Sequence, residues 1–389
     1  MGGPRMVQDN SAAWEPARDA DNTFDMVQEI NAGSPNIKVM GIGGGGRNAV
    51  SRMFKDKLPV VEYFSVNTDA QHLFRCDVSH RLAIGQNLTR GLGSGANPAL
   101  GRQAAEESRH DIEKALEGAD MVFLAVGMGG GTGTGAAPVI AQIAKESGAL
   151  TVAVVSRPFS FEANMRKKNA EEGIARLKDQ VDTLIVIDND RLLQLNAQGE
   201  QTYTWEDALK MADSVLQQGI QAIAEVVTVP GEINVDFADV RTILNNAGPA
   251  WLAIGRGKGE SRAVDAARQA TKSPLLDISM DGARRVLFVI SGGPTLTLQE
   301  VQDAARVIED MSDPDANIIF GTCRDSKLEE EVKITMVAAS FPVMAENQQL
   351  REDELERLLQ DVIPQSEEEL DVPSFLRRQS NNKNRGFFR

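Results

Sequence analysis

Cysteine is almost missing from this 389-residue chain, which carries only Cys76 and Cys323. That excludes a disulfide framework and favours a reducing interior. Histidine is nearly as scarce, and His72, His80 and His110 form no clear catalytic arrangement. No apolar run approaches about 18 residues, so no transmembrane segment is expected. Positive charge is in deficit, with a formal net charge of −15. This argues against a nucleic-acid binder, which would usually carry a basic face. It leaves room for an anion held locally by backbone amides. There is no G-x-x-x-x-G-K-[ST] motif, so a P-loop enzyme with a phosphate lysine is excluded. Residues 1–34 lack the apolar segment of a signal peptide and carry Asp9, Glu15, Asp19, Asp21, Asp25 and Glu29. They are expected to be a disordered acidic extension.

What is present suits a globular chain with more than one domain, since 42% of residues are hydrophobic and 25% charged. Short apolar runs alternate with helical segments. Asn36–Met40, Tyr63–Val66, Met121–Val126, Leu150–Val155 and Thr183–Ile187 read as strands, the later three nearly all apolar. Ala137–Lys145 reads as a helix. Continuous apolar strands separated by helices imply a parallel sheet covered on both faces. Residues 204–227 read as one long helix, with Ala208, Met211, Val215, Ile223 and Val226 at helical spacing and Pro230-Gly231 at its end. A second alternating region has strands at Trp251–Ile254, Arg285–Ile290, Ala316–Phe320 and Val332–Val337. The expected divisions are an extension (1–34), a nucleotide domain (35–203), a central helix (204–227), a smaller α/β domain (228–341), an acidic linker (342–369) and a terminal peptide (370–389).

Glycine carries the chemistry. Gly41-Ile42-Gly43-Gly44-Gly45-Gly46 follows a strand and precedes a helix expected to start near Arg47-Asn48. It fits G-x-G-x-x-G, which alone is weak evidence, because any tight strand-to-helix turn favours glycine. Asp69 lies where a dinucleotide fold places its ribose-binding acid, so a nicotinamide enzyme is the rival reading. A second run, Gly129-Gly130-Gly131-Thr132-Gly133-Thr134-Gly135, also lies between strand and helix. Each glycine costs up to about 1 kcal/mol relative to alanine. A plain turn does not need so many, whereas amides closing on a phosphate do, with the Thr132 and Thr134 hydroxyls and the helix dipole assisting. A third stretch, Gly91 to Pro98, also offers amides.

These residues resemble the FtsZ family, the prokaryotic tubulin-like cell-division GTPases. Gly129–Gly135 looks like that family's signature. Matches extend over Gly41–Asn48, Asn67–Asp69, Gly93–Pro98, Gly127–Pro138, Phe161-Glu162, Arg166, Asn189-Asp190, Asn234–Asp239 and Asp371–Gln379. The resemblance implies a tubulin/FtsZ-like α/β fold, with a Rossmann-like parallel-sheet GTPase domain joined by the central helix to a smaller α/β domain. It implies that Gly43, Gly44, Gly45, Gly46, Arg47, Asn48, Gly129, Gly130, Gly131, Thr132, Gly133 and Thr134 hold the phosphates of GTP or GDP. Ala96 and Asn97 would lie near the terminal phosphate, Glu162 and Arg166 near the ribose, and Asn189 and Asp213 on the guanine. Mg²⁺ would bridge the phosphates, with no metal site of the protein's own. Arg47 departs from the family, which commonly has a small residue there. It either adds charge near phosphate or points to solvent, and solvent is favoured.

Asn234, Asp236 and Asp239 would complete catalysis. Asp236 and Asp239 are three apart and share a helix face; read alone they are ordinary helix-start acids. In the family the matching loop enters the nucleotide site of the next subunit. The resemblance therefore implies a head-to-tail homopolymer whose GTPase is activated by assembly. It also implies a cytoplasmic protein gathered into the division (Z) ring at mid-cell. Val372, Phe375, Leu376, Arg377 and Arg378 in residues 370–379 would dock membrane-tethering and regulatory division proteins.

Overall fold

A computed structural model describes residues 34–58, 60–196, 204–228, 235–272, 282–325 and 327–341. The linker and the terminal peptide fall outside these residues, as do the N-terminal extension apart from Ser34, Asn234, and the Pro230-Gly231 stop. Ten strands form one sheet: β1 (Ile37–Ile42), β2 (Val61–Asn67), β3 (His80–Ala83), β4 (Met121–Gly127), β5 (Leu150–Arg157), β6 (Thr183–Asp188), β7 (Gly248–Lys258), β8 (Arg285–Gly292), β9 (Asn317–Arg324) and β10 (Glu331–Ala339). Their order is β3-β2-β1-β4-β5-β6-β7-β10-β8-β9.

The first six strands are all parallel. Every residue of β1 is buried, because helices cover both faces. Successive side chains point to opposite faces. Val39, Phe123 and Val154 thus join one core with Leu216 and Ile220, while Met40, Leu124 and Val155 join another with Ile140. β3 escapes the sequence reading. It is a four-residue edge strand in which His80 and Arg81 are exposed, so it shows no apolar run.

The sheet continues into the C-terminal half through a short parallel contact of Thr183–Ile185 with Gly248–Ala250. Beyond it the pattern changes. β10 lies between β7 and β8 and runs antiparallel to both, while β8 and β9 are parallel. The long helix spans Trp205–Thr228 and packs across this junction. Its Leu216, Ile220 and Ile223 share a core with Val154 and Ile185 on one side and Leu252, Leu287 and Val337 on the other.

A buried charge fixes one end of the first half. Lys38 is 5% exposed in β1, and its Nζ donates to the Ala115 and Glu117 carbonyls at 3.0 and 2.8 Å, at the end of helix Arg109–Leu116. There it satisfies carbonyls that the helix leaves unpaired. Lys38→Met should therefore destabilise the protein by about 1–3 kcal/mol in denaturant titrations, through the stranded carbonyls. An unchanged midpoint would contradict this account.

Candidate active site

In an open α/β sheet, ligands bind beyond the carboxyl ends of the strands, where the strand order reverses. The order β3-β2-β1-β4-β5-β6 puts that reversal between β1 and β4. Those are the two strands that end in glycine runs. Ile42 pairs with Val126, which sets the runs side by side.

Both runs differ from the sequence expectation in one respect. The helices begin inside them, at Gly43 and at Thr132, rather than near Arg47 and Ala137. Glycine is a poor helix former, so propensity hides these first turns. Tight packing explains the choice of residue. Gly43 turns out of β1 at φ 72°, a left-handed conformation that favours glycine. A Cβ on Gly46 would lie 2.0 Å from the Ala125 carbonyl oxygen, and one on Gly133 would lie 2.9 Å from that of Gly127. The third loop closes on the second, since a Cβ on Gly131 would meet the Ser94 hydroxyl at 2.3 Å and the Asn97 amide at 2.7 Å.

Within the two runs, two glycines have no such neighbour. A Cβ on Gly44 or on Gly130 would find nothing within 4 Å. Protein packing does not require glycine at either position, and the space above them is open.

The threonine hydroxyls also depart from expectation. Thr134 Oγ1 accepts from the Gly129 amide at 2.8 Å, and Thr132 Oγ1 bonds the Thr68 and Ser94 hydroxyls at 2.7 and 2.9 Å. They shape the loop. Asn97 caps helix Pro98–Glu107 by accepting from the Ala99 amide, and Ala96 before it has φ 59°. Thr68 and Ser94 were not foreseen as part of this network. A hydroxyl in a loop gives no sequence signal until the fold brings its partner near.

The expected ribose and base residues gather at the same end. Glu162 forms an ion pair with Arg166 and accepts from the Phe159 amide at 3.0 Å. The Arg166 carbonyl lies 2.8 Å from where a Gly129 Cβ would be. Asn189 follows β6 and is buried. Asp213, on the long helix, faces Arg52 of helix Gly43–Met53 at 3.5 Å, with its side chain 13% exposed. Burial pushes its carboxyl up to about 6, against the pull of Arg52 and Arg47.

Arg47 does not simply point to solvent. It is half-buried, its Nη1 donates to the His72 carbonyl at 3.0 Å, and its Nη2 donates to Asn48 Oδ1 at 2.5 Å. Among the described residues, the buried side-chain polar atoms left without a partner are Arg47 Nε, Ser65 Oγ, Asn189 Oδ1 and Trp251 Nε1. Two of these four belong to residues that the resemblance places on a nucleotide. An unpaired buried polar atom costs about 1–3 kcal/mol, so a ligand that satisfies it gains accordingly. Asp69 caps helix Ala70–Phe74 by accepting from the His72 amide, a local structural role for the acid that had suggested a nicotinamide enzyme.

Asp236 and Asp239 lie elsewhere. Both are exposed at the start of helix Phe237–Leu244. That helix is anchored at the amino ends of the parallel strands. Arg241 donates to the Gly148 carbonyl just before β5, and the Leu244 carbonyl accepts from Thr183 at the start of β6. The glycine runs follow the carboxyl ends. The two groups are thus a strand length apart, roughly 20 Å at about 3.3 Å per residue.

Comparison with known proteins agrees with this fold. Residues 36–197 match the Tubulin/FtsZ family GTPase domain, and residues 248–342 match the FtsZ family C-terminal domain. An FtsZ from M. jannaschii, solved as an empty dimer, is 41% identical over 82% of this chain and 92% of its own, with a TM-score of 0.77. A single-residue mutant of the M. jannaschii protein gives 41% identity over 82% of this chain and 95% of its own, at 0.76. CetZ2 from Haloferax volcanii, a GTPgS-bound protofilament, is 22% identical over 82% of this chain and 99% of its own, at 0.65, and shares the fold.

Proposed function

This chain belongs to the tubulin/FtsZ family of GTPases, and from that premise we propose that it polymerises head to tail and hydrolyses GTP between neighbouring copies. As a member of that family it is a cytoskeletal enzyme that binds GTP and GDP. In the reading proposed here, its filaments form the cell-division ring beneath the membrane at mid-cell. No helix among the described residues is long and apolar enough to cross a membrane. In the same reading, tethering falls to partner proteins that dock on residues 370–379.

The observation that carries the proposal is the separation of the glycine runs from Asp236 and Asp239 by the length of the sheet. No carboxylate within either glycine run is available to orient a water. Phosphates lie over Gly44 and Gly130 and take amides from both loops. Glu162 and Arg166 contact the ribose, and Asn189 and Asp213 take the guanine edge. Ala96 and Asn97 flank the terminal phosphate. A second copy stacked on this end presents its Asp236 and Asp239, and these hold the attacking water in line with the γ-phosphorus, with Asn234 assigned to assist them. Water and GTP become GDP and phosphate, and the contact that the terminal phosphate supported weakens.

Among the described residues, no group of three or more His, Cys, Asp or Glu could hold a metal ion. Mg²⁺ fits here as an ion carried on the nucleotide's own phosphates, where it would neutralise their charge.

GTP turnover per chain should rise steeply with protein concentration and follow the sedimentable fraction. Equal turnover per chain at high dilution and in polymer would overturn the proposal.

A further inference from the structure

A cavity of about 530 Å³ opens on the face of the sheet away from the long helix, over helix Thr132–Glu146 and between helices Pro98–Glu107 and Asn164–Lys178. Apart from Asn97, its lining includes no residue assigned above to the nucleotide. Both walls are seated tightly on the floor helix. A Cβ on Gly135 would lie 2.0 Å from the Pro98 carbonyl oxygen and 2.6 Å from the Arg102 amide, and one on Gly173 would lie 2.4 Å from Thr134 Cγ2. The three helices run the same way from there. Further along, Arg109 meets Glu146 at 3.0 Å on one side, and Lys145 Nζ donates to the Val181 carbonyl at 3.5 Å on the other. These contacts fix which wall residues share a level. Arg102 and Glu172 lie beside the two seats, and Glu106 and Arg176 each lie about one turn further along. A cation thus faces an anion twice across the cavity, in opposite order. Among the described residues, Arg102, Glu106 and Arg176 form no ion pair, and Glu172 meets Lys168 only at 4.0 Å.

We propose that this cavity binds a short zwitterionic peptide carrying two charges of each sign. The walls hold complementary charges that the cavity keeps from pairing with one another. A ligand between them supplies each missing counter-charge. It presents a carboxylate to Arg102 and an ammonium to Glu172 at one level, and the reverse, an ammonium to Glu106 and a carboxylate to Arg176, at the next. A simple anion would meet Glu106 and Glu172 as well as the arginines, and a polyamine would meet the arginines as well as the acids, so like charges disfavour both. A dipeptide with one basic and one acidic side chain matches all four positions. Pro138 and Val139 on the floor offer apolar contact to its methylenes. The side chains of Asn169 and Gln180 also line the cavity and hold no hydrogen bond among the described residues, which leaves them for its peptide group.

The test is calorimetric titration of the full, GDP-loaded chain with lysylglutamic acid at low salt. Dialanine, glutarate and spermidine serve as comparisons. Lysylglutamic acid should bind about fivefold or more tightly than dialanine, which lacks two of the four charges, since an exposed ion pair is worth up to about a factor of five. Added salt should weaken it. The double variant Arg102→Gln, Arg176→Gln should lose about five- to thirtyfold in affinity, and Glu106→Gln, Glu172→Gln should lose a similar factor. All four side chains are exposed, so both variants should keep their GDP affinity, which also shows that they are folded. No binding of lysylglutamic acid up to about 10 mM would overturn the proposal. So would binding that survives either double variant, or dialanine, glutarate or spermidine binding as tightly.

Discussion

Asp239→Ala will reduce GTP turnover by about two to four orders of magnitude, the range typical of a lost positioned acid or base, and will leave GDP affinity unchanged within twofold. The side chain is exposed at the first turn of its helix, so its removal breaks no packing. It also lies at the opposite end of the sheet from the glycine runs, so binding has no reason to change. The informative form of the experiment mixes two inactive chains. One carries Asp239→Ala and binds nucleotide. The other has a blocked phosphate loop but intact acids. Turnover that appears only in the mixture requires acids from one copy and nucleotide on another. If the mixture stays silent while each chain still enters polymer, the acids act within their own chain or not at all.

The second large effect sets affinity against stability. Gly44→Ala and Gly130→Ala place a methyl where the protein has no atom within 4 Å. The free protein should therefore lose no stability. At Gly44, inside the helix, alanine gains up to about 1 kcal/mol over glycine. Nucleotide binding should move the other way. Forcing a methyl into space that a phosphate occupies costs about 1–3 kcal/mol, which is roughly a tenfold loss of affinity or more. Gly46→Ala is the contrasting case. Its Cβ would be 2.0 Å from the Ala125 carbonyl, so it should lower the melting temperature even without nucleotide. Unimpaired GDP binding by both Gly44→Ala and Gly130→Ala would mean that phosphate lies elsewhere.

Much of the first half of the fold was legible, because its strands are buried on both faces and read as unbroken apolar runs. The long helix was legible for the same reason, through its helical spacing of apolar residues. The C-terminal strands were found as segments, yet their mixed directions were not. Direction depends on which strand lies next to which, and β10 settles between β7 and β8 without any local mark. At the site, the glycines announced themselves by number. Their division into those that fit against protein and those that leave room could not be read, since it depends on Ala125, Ser94 and Asn97 coming from distant parts of the chain. Arg47 shows the same limit. A charged residue in a glycine loop reads as solvent-facing until the His72 carbonyl arrives beside it.

The two ends of the sheet differ, and that difference carries over to any row of stacked copies. A row built this way has one terminus showing uncovered nucleotide and the other showing unused acids. Each internal contact completes one site, so a row always has one fewer working site than it has chains. The chain whose nucleotide faces outward keeps its GTP until the next copy lands on it. The age of a subunit's nucleotide would thus record its place in the row, newest at one tip and spent toward the other.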